Sequence, residues 1–310
     1  MAKVIIGIHG LANKPPKATL AEWWKDSIAE GLRVNCGIKS PTFTFEMVYW
    51  ADLLYKYPLH QDNNFSFDKL YNTQPYLPAR KGALKKYEAS WLDIVRRETQ
   101  RVLGGAVDRV KEYVGMDSAG DFLLARVLKD LDFYYDVNRH IVNRDGHRKL
   151  ARMVLQEELE KVLVKNRDNT IMLIAHSMGS IIAYDVVRNL GRTQKGVTVS
   201  RFVTIGSPLG LPYVKGKIID ERTYDRNEAQ RVRTPSIVTQ SWINFADKRD
   251  PVAFDTHLGD DYGPNAKRVR VVDDLIMNDY DVKGERNSHK SYGYLRAPEV
   301  SDHIRTFLGR

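Results

Sequence analysis

Short apolar runs and longer stretches of helical periodicity alternate along this chain. Lys3–Ile8 (KVIIGI), Ile171–Ala175, Arg201–Ile205 (RFVTI) and Ile237–Phe245 (IVTQSWINF) have the length and apolar content of buried strands. Phe43–Trp50 alternates enough to predict a second strand, and Arg268–Val272 (RVRVV) predicts the last one. Between them, Thr19–Leu32 places Trp23, Trp24 and Ile28 on one helical face, with Thr19 and Glu22 spaced as a capping box. His147–Val164 (apolar at Leu150, Met153, Val154, Val162 and Leu163), Ser180–Leu190 and Ala297–Leu308 also have helical spacing. Strand-helix alternation of this kind predicts an α/β fold with a mostly parallel central sheet flanked by helices. The polar stretch Lys215–Pro235 predicts a surface excursion, and Asp279–Gly293 a loop.

The pattern changes between Leu53 and Asn143. A segment rich in Tyr, Asn and Pro comes first, followed by a helical stripe (Leu84, Tyr87, Trp91, Val102, Ala106, Val110, Tyr113) interrupted by Gly104-Gly105. A further helix is predicted from Asp117-Ser118, with Phe122, Leu123, Val127, Leu128 and Leu131 inward. The expected organisation is a core from 1–52 and 144–310, with 53–143 inserted as a helical cap or lid. Arg96, Arg97, Arg101, Arg109 and Lys111 lie off the apolar stripe, so this helix is either a solvated face or a contact with an anionic membrane surface.

The stretch Thr170–Leu190 organises the rest. Its strand passes directly into its helix through Ala175-His176-Ser177-Met178-Gly179. Small residues on either side let the two backbones approach, and Ser177 is left at the apex, at the positive end of a helix. AHSMGSIIAYDV resembles the nucleophile elbow of the α/β-hydrolase superfamily, in its lipase and serine-esterase branches; Ala175 stands where the usual Gly-x-Ser-x-Gly pattern has glycine. His9-Gly10 after the first strand resembles the start of that family's oxyanion loop, which implies backbone N–H donors at Leu11 and Met178. Gly206-Ser207-Pro208-Leu209 is a second lipase-like phrase; Pro208 makes Ser207 a poor rival nucleophile, so the phrase is expected to shape the floor of the site. The aromatics Tyr49 and Trp50, in Tyr49-Trp50-Ala51-Asp52 at the end of the second strand, are expected as pocket wall or core.

A serine hydroxyl needs a base, and an imidazole base needs a carboxylate to orient it. The resemblance implies the chain order Ser, acid, His. Asp250, in Asp-Pro-Val, best matches the family's acid, with Asp247 as the alternative. Of the later histidines, His257 precedes the last strand and His303 falls within the last helix; His289 lies in the loop where the family keeps its base. His9 and His176 are expected to pack or hydrogen-bond rather than carry protons. Together these imply a Ser177–His289–Asp250 hydrolase that cleaves a carboxylic ester of a small molecule or lipid through an acyl-enzyme. Thioesterase or phospholipase chemistry on the same machinery, or a binding module without turnover, are the alternatives.

Composition narrows this only slightly. Lys and Arg exceed Asp and Glu by 48 − 39 = 9, but no nucleic-acid motif accompanies the charge, and no nucleic-acid partner is expected. The one cysteine, Cys36, cannot form an internal disulfide, and the N-terminal run is too short for a secretory signal. A cytoplasmic protein needing no cofactor or metal is the expectation.

Overall fold

The computed structural model describes residues 1–10, 12–59, 75–88, 118–194, 196–223, 232–253, 255–282 and 284–310. In chain order its elements are β1 (Lys3–Ile8), α1 (Lys17–Cys36), β2 (Thr44–Val48), α2 (Ser118–Tyr135), β3 (His140–Val142), β4 (Arg148–Leu150) and α3 (Ala151–Lys165). Next come β5 (Thr170–His176), α4 (Met178–Thr193), β6 (Val199–Ile205), α5 (Pro212–Thr223), β7 (Val238–Ala246) and β8 (Val271–Leu275). The short strands β9 (Asp281–Val282) and β10 (Glu285–Arg286) precede α6 (Ser291–Leu295) and α7 (Pro298–Leu308).

Six strands form one sheet in the order β2-β1-β5-β6-β7-β8, every neighbouring pair parallel. The expected α/β architecture with a parallel sheet between helices is therefore present. Side chains of successive strand residues point to opposite faces. Val4, Ile6 and Ile8 join Ile171, Leu173 and Ala175 in a core with residues of α3 and α4. Ile5, Met172 and Ile174 join Trp24, Ile28, Ile304 and Phe307 in a second core with α1 and α7. The register pairs Ile8 with Ala175, His176 with Ile205, Ile205 with Phe245 and Ala246 with Leu275, so the carboxyl ends of β1, β5, β6, β7 and β8 share one rim. After β1 the chain moves outward to β2, and later it returns to β5 on β1's other side. The gap between β1 and β5 is thus the switch point where parallel sheets place ligands.

Several local expectations need correction. No capping box forms: α1 starts after Pro16 with no side-chain cap, and it runs on to Cys36, where Gly37 closes it at φ 70°. The expected helix from His147 begins at Ala151, because residues 140–150 form a hairpin whose turn is held by Asn143, its Oδ1 accepting the Asp145 and His147 N–H groups. Met153 is exposed rather than inward. Of the expected surface excursion Lys215–Pro235, residues 215–223 belong to the helix Pro212–Thr223, and 224–231 lie outside the described residues. The last sheet strand lies at Val271–Leu275, three residues beyond the expected run.

In the inserted segment, the helix expected from Ser118 is α2; Val127 and Leu131 are buried, whereas Leu128 is exposed. It is tied to the core by Asp185 of α4, fully buried, which accepts from the Tyr134 hydroxyl (2.8 Å) and from Arg152 of α3 (2.6 Å). Leu84 and Tyr87 are not helical: residues 75–88 run without helix, and Glu30, Arg296 and Glu299 take backbone groups of Ala79, Leu77 and Tyr87. The remainder of that stripe, its basic residues from Arg96 to Lys111, and the side chains of Phe122 and Leu123 lie outside the described residues. Among those described, no helix is long and apolar enough to cross a membrane.

Candidate active site

β5 ends at His176 and α4 begins at Met178, so Ser177 alone makes the turn. Its backbone sits at φ 54°, ψ −134°, a conformation that L-residues avoid and that such a turn requires. Ser177 N–H is fixed by the Ile205 carbonyl (3.1 Å), and its own carbonyl accepts from Ser180 N–H and from the Ser180 hydroxyl (2.6 Å). Space around the turn is short. A Cβ at Gly179 would come within 2.5 Å of the His9 carbonyl oxygen, and one at Gly10 within 2.5 Å of the Ser177 Cβ. Small residues here are a packing necessity, and the Ala175 methyl is accommodated in the core.

His289 Nε2 lies 3.0 Å from Ser177 Oγ, and His289 Nδ1 lies 2.9 and 2.8 Å from the two carboxylate oxygens of Asp250. A carboxylate accepts only, so Nδ1 carries the proton and the Nε2 lone pair faces the serine hydroxyl. Asp250 is 3% exposed. It also accepts from the Val252 N–H (2.9 Å) and from the Tyr294 hydroxyl (2.7 Å). Tyr294 is fully buried, and burial beside Asp250 raises its hydroxyl well above the usual range, so it remains a proton donor. Gly206 makes room for this arrangement: it has φ 53°, and a Cβ there would come within 2.7 Å of Asp250 Oδ2 and 3.2 Å of His289 Nδ1.

Asp247 does not contact His289. Its two oxygens take the backbone N–H and guanidinium of Arg249 and the backbone N–H of Asn278. His257 is engaged with the Thr256 hydroxyl, and His303 packs against Phe245. His9 accepts from the Trp50 N–H at Nε2 and donates from Nδ1 to the Gly10 carbonyl, with its ring stacked on Trp50. Burial, and then the nearby Lys14 charge, lower its pKa to about 3, so it is a neutral structural imidazole. His176 donates from Nε2 to the His289 carbonyl (2.8 Å) and is likewise held neutral, by burial and then by the neighbouring His289.

Met178 N–H is the first of α4 and has no acceptor within the helix, which leaves it available at the serine. Leu11 lies outside the described residues; its neighbour Ala12 has φ 63°, a left-handed backbone costing about 1–2 kcal/mol for a non-glycine residue. Ser207 bonds the Ser180 hydroxyl (2.6 Å) and the Leu209 N–H (3.3 Å), so it braces the turn beneath the elbow and has no role as a nucleophile there. Beyond the His9 loop, Tyr49, Asp52, Lys17 and Arg144 line a cleft of about 410 Å³; Trp50 belongs to the core, and so does most of Tyr49. Among the described residues no group of His, Cys, Asp or Glu side chains is placed to hold a metal ion.

Sequence reasoning missed Tyr294, the steric role of Gly206 and Asn278. Tyr294 and Asn278 lie in no recognisable motif, whereas Gly206 opens the Gly-Ser-Pro-Leu phrase. The positive φ of Gly206 could have been suspected from its place between a buried strand and Ser-Pro.

This arrangement presents an oxygen nucleophile, a base at hydrogen-bond distance and a buried carboxylate on the base's far nitrogen, all on the rim of a parallel sheet. The parallel sheet with a serine at a strand-to-helix turn is consistent with an α/β-hydrolase fold. Residues 143–212 match the family model for lecithin:cholesterol acyltransferase, a family of serine acyl-transfer enzymes acting on lipid esters. The matched span contains the β3–β4 turn, the elbow and the Gly206–Gly210 turn, but neither Asp250 nor His289. No curated protein was found to match the chain.

Proposed function

We propose that this protein is a serine hydrolase that cleaves carboxylic esters, lipid esters included, through an acyl-enzyme on Ser177. The observation that carries the reading is the 3.0 Å approach of His289 Nε2 to Ser177 Oγ with Asp250 on the opposite nitrogen. Ser177 Oγ attacks the ester carbonyl as His289 takes its proton, and Asp250 stabilises the imidazolium so formed. The Met178 N–H, with Leu11 as the second donor, receives the oxyanion. His289 then protonates the departing alcohol, and a water activated by the same imidazole releases the acid. Residues 53–143 act in this reading as a cap that selects the substrate.

A second reading follows from the family match: the acyl group passes to an alcohol instead of to water. One experiment separates the two. Hydrolysis of p-nitrophenyl esters of rising chain length and of phospholipids is measured with and without an added long-chain alcohol. Free fatty acid as the main product supports hydrolysis, and a new ester formed at its expense supports transfer. A folded protein that turns over none of these substrates contradicts both.

A further inference from the structure

Three consecutive backbone carbonyls at His289 are each taken by a buried side chain from elsewhere in the chain. Asn278 Nδ2 donates to the Ser288 carbonyl (2.8 Å) and to the Lys290 carbonyl (2.9 Å). His176 Nε2 donates to the His289 carbonyl between them (2.8 Å). Asn278 is 0% exposed, and its orientation follows from its partners: Oδ1 accepts the Tyr280 N–H (3.1 Å), so a flipped amide would set an oxygen against two carbonyls. Asn278 stands just beyond β8 and His176 at the end of β5, so the clamp ties the histidine loop to two strands of the sheet.

The support continues one step further back. Asp247 Oδ2 accepts the Asn278 N–H (2.7 Å) and also holds the Arg249 guanidinium. Its backbone N–H donates to the Tyr294 hydroxyl (3.0 Å), which itself donates to Asp250. The carboxylate that does not reach His289 therefore braces both the loop carrying the base and the tyrosine holding the acid. Gly293 leaves room for the clamp, because a Cβ there would overlap Asn278 Oδ1.

Building on the acyl-transfer reading, we propose that Asn278 and His176 are positioning residues that aim His289 at Ser177 by fixing the carbonyls of residues 288–290. Neither touches the reacting atoms. Their value lies in geometry, since displacing a catalytic group by about 1 Å costs on the order of a hundredfold in rate.

The test uses the full chain and the variants Asn278→Asp, Gly293→Ala, His176→Phe and His176→Gln. Asn278→Asp removes the two N–H donors. Gly293→Ala keeps every named side chain but pushes the carboxamide aside. Glutamine at 176 retains an N–H donor near the position of Nε2, and phenylalanine does not. Thermal melts identify the folded variants; p-nitrophenyl ester kinetics and the rate of fluorophosphonate labelling are then measured well below each melting point.

The expected result is a fall in kcat and in labelling rate of about 10–100-fold for Asn278→Asp, Gly293→Ala and His176→Phe, with KM within about twofold and substantial recovery in His176→Gln. If Asn278→Asp fails to fold, Gly293→Ala and the His176 pair decide. Folded variants that keep kcat within about twofold of wild type overturn the clamp, and glutamine no better than phenylalanine overturns the part assigned to His176. A wild type that takes no label overturns the acyl-transfer reading and the clamp with it; a labelled wild type with unaffected variants overturns the clamp alone.

Discussion

The two halves of the site are built by different means. The nucleophile side is local: strand, single strained residue and helix follow one another from Thr170 to Thr193, and backbone geometry alone lifts Ser177 out of the sheet. The acid and base side is assembled from a distance. His289 meets a serine 112 residues away and a carboxylate 39 residues away, and polar side chains from the ends of β5, β7 and β8 hold it in place. The first half is sensitive to volume and backbone, the second to individual hydrogen bonds. The family match takes in the first half and reaches His176 and Gly206, but not Asp250, Asn278 or His289.

The contrast is broken most severely at the acid. Asp250→Asn should lower kcat by about 10⁴-fold while the fold survives, because an amide can stabilise neither the required tautomer nor the imidazolium. Asp247→Asn should cost far less activity, about tenfold, with stability reduced by about 1–3 kcal/mol through its weakened bonds to Arg249. Steady-state kinetics and melts on both variants check this, and the reverse ranking would transfer the acid's role to Asp247.

Gly206→Ala tests whether the distant half also depends on space. Its methyl would meet Asp250 Oδ2 and strain a backbone at φ 53°, so a fall of about 100-fold in kcat is expected, with little change in KM. An alanine variant with wild-type kcat would show that the acid can shift without consequence.

A smaller effect separates the structural imidazoles from the proposed base. The fold holds His9 neutral, with a pKa near 3 against an ordinary value of 6.5. The unfolded chain therefore binds more protons across that window. The stability contributed by neutral His9 is complete above about pH 6.5 and is lost as pH falls toward 3, at up to about 1.4 kcal/mol per pH unit. His176 acts with the same sign. In His9→Gln the decline of denaturation midpoint between pH 6.5 and 4 should be shallower than in wild type; parallel declines would contradict the assignment.

The sequence carried the inner sheet well because β1, β5 and β6 are buried on both faces and therefore read as continuous apolar runs. It carried the elbow for the same local reason, and chain order then singled out His289. Less was legible where structure depends on partners. The last strand was displaced because Asp273, in Val271–Leu275, looks unlike a strand residue until the Leu258 and Gly259 N–H groups and Asn244 are seen to satisfy its carboxylate. The β3–β4 hairpin was missed because its strands are three residues long, although Asn143-Arg144-Asp145-Gly146 is a turn signal. Helix α5 was missed because its inward residues Val214 and Ile218 are few among polar neighbours. Asn278 and Tyr294 carry no pattern in one dimension, since their roles exist only once β5, β7 and β8 share a rim.

The most direct test of the central claim is the intact mass of the protein after exposure to a fluorophosphonate, with the modified peptide sequenced. One adduct on Ser177 in wild type, absent from Ser177→Ala and strongly slowed in His289→Ala, is the predicted result. No adduct on the folded wild type, or equal adduct on Ser177→Ala, would contradict it.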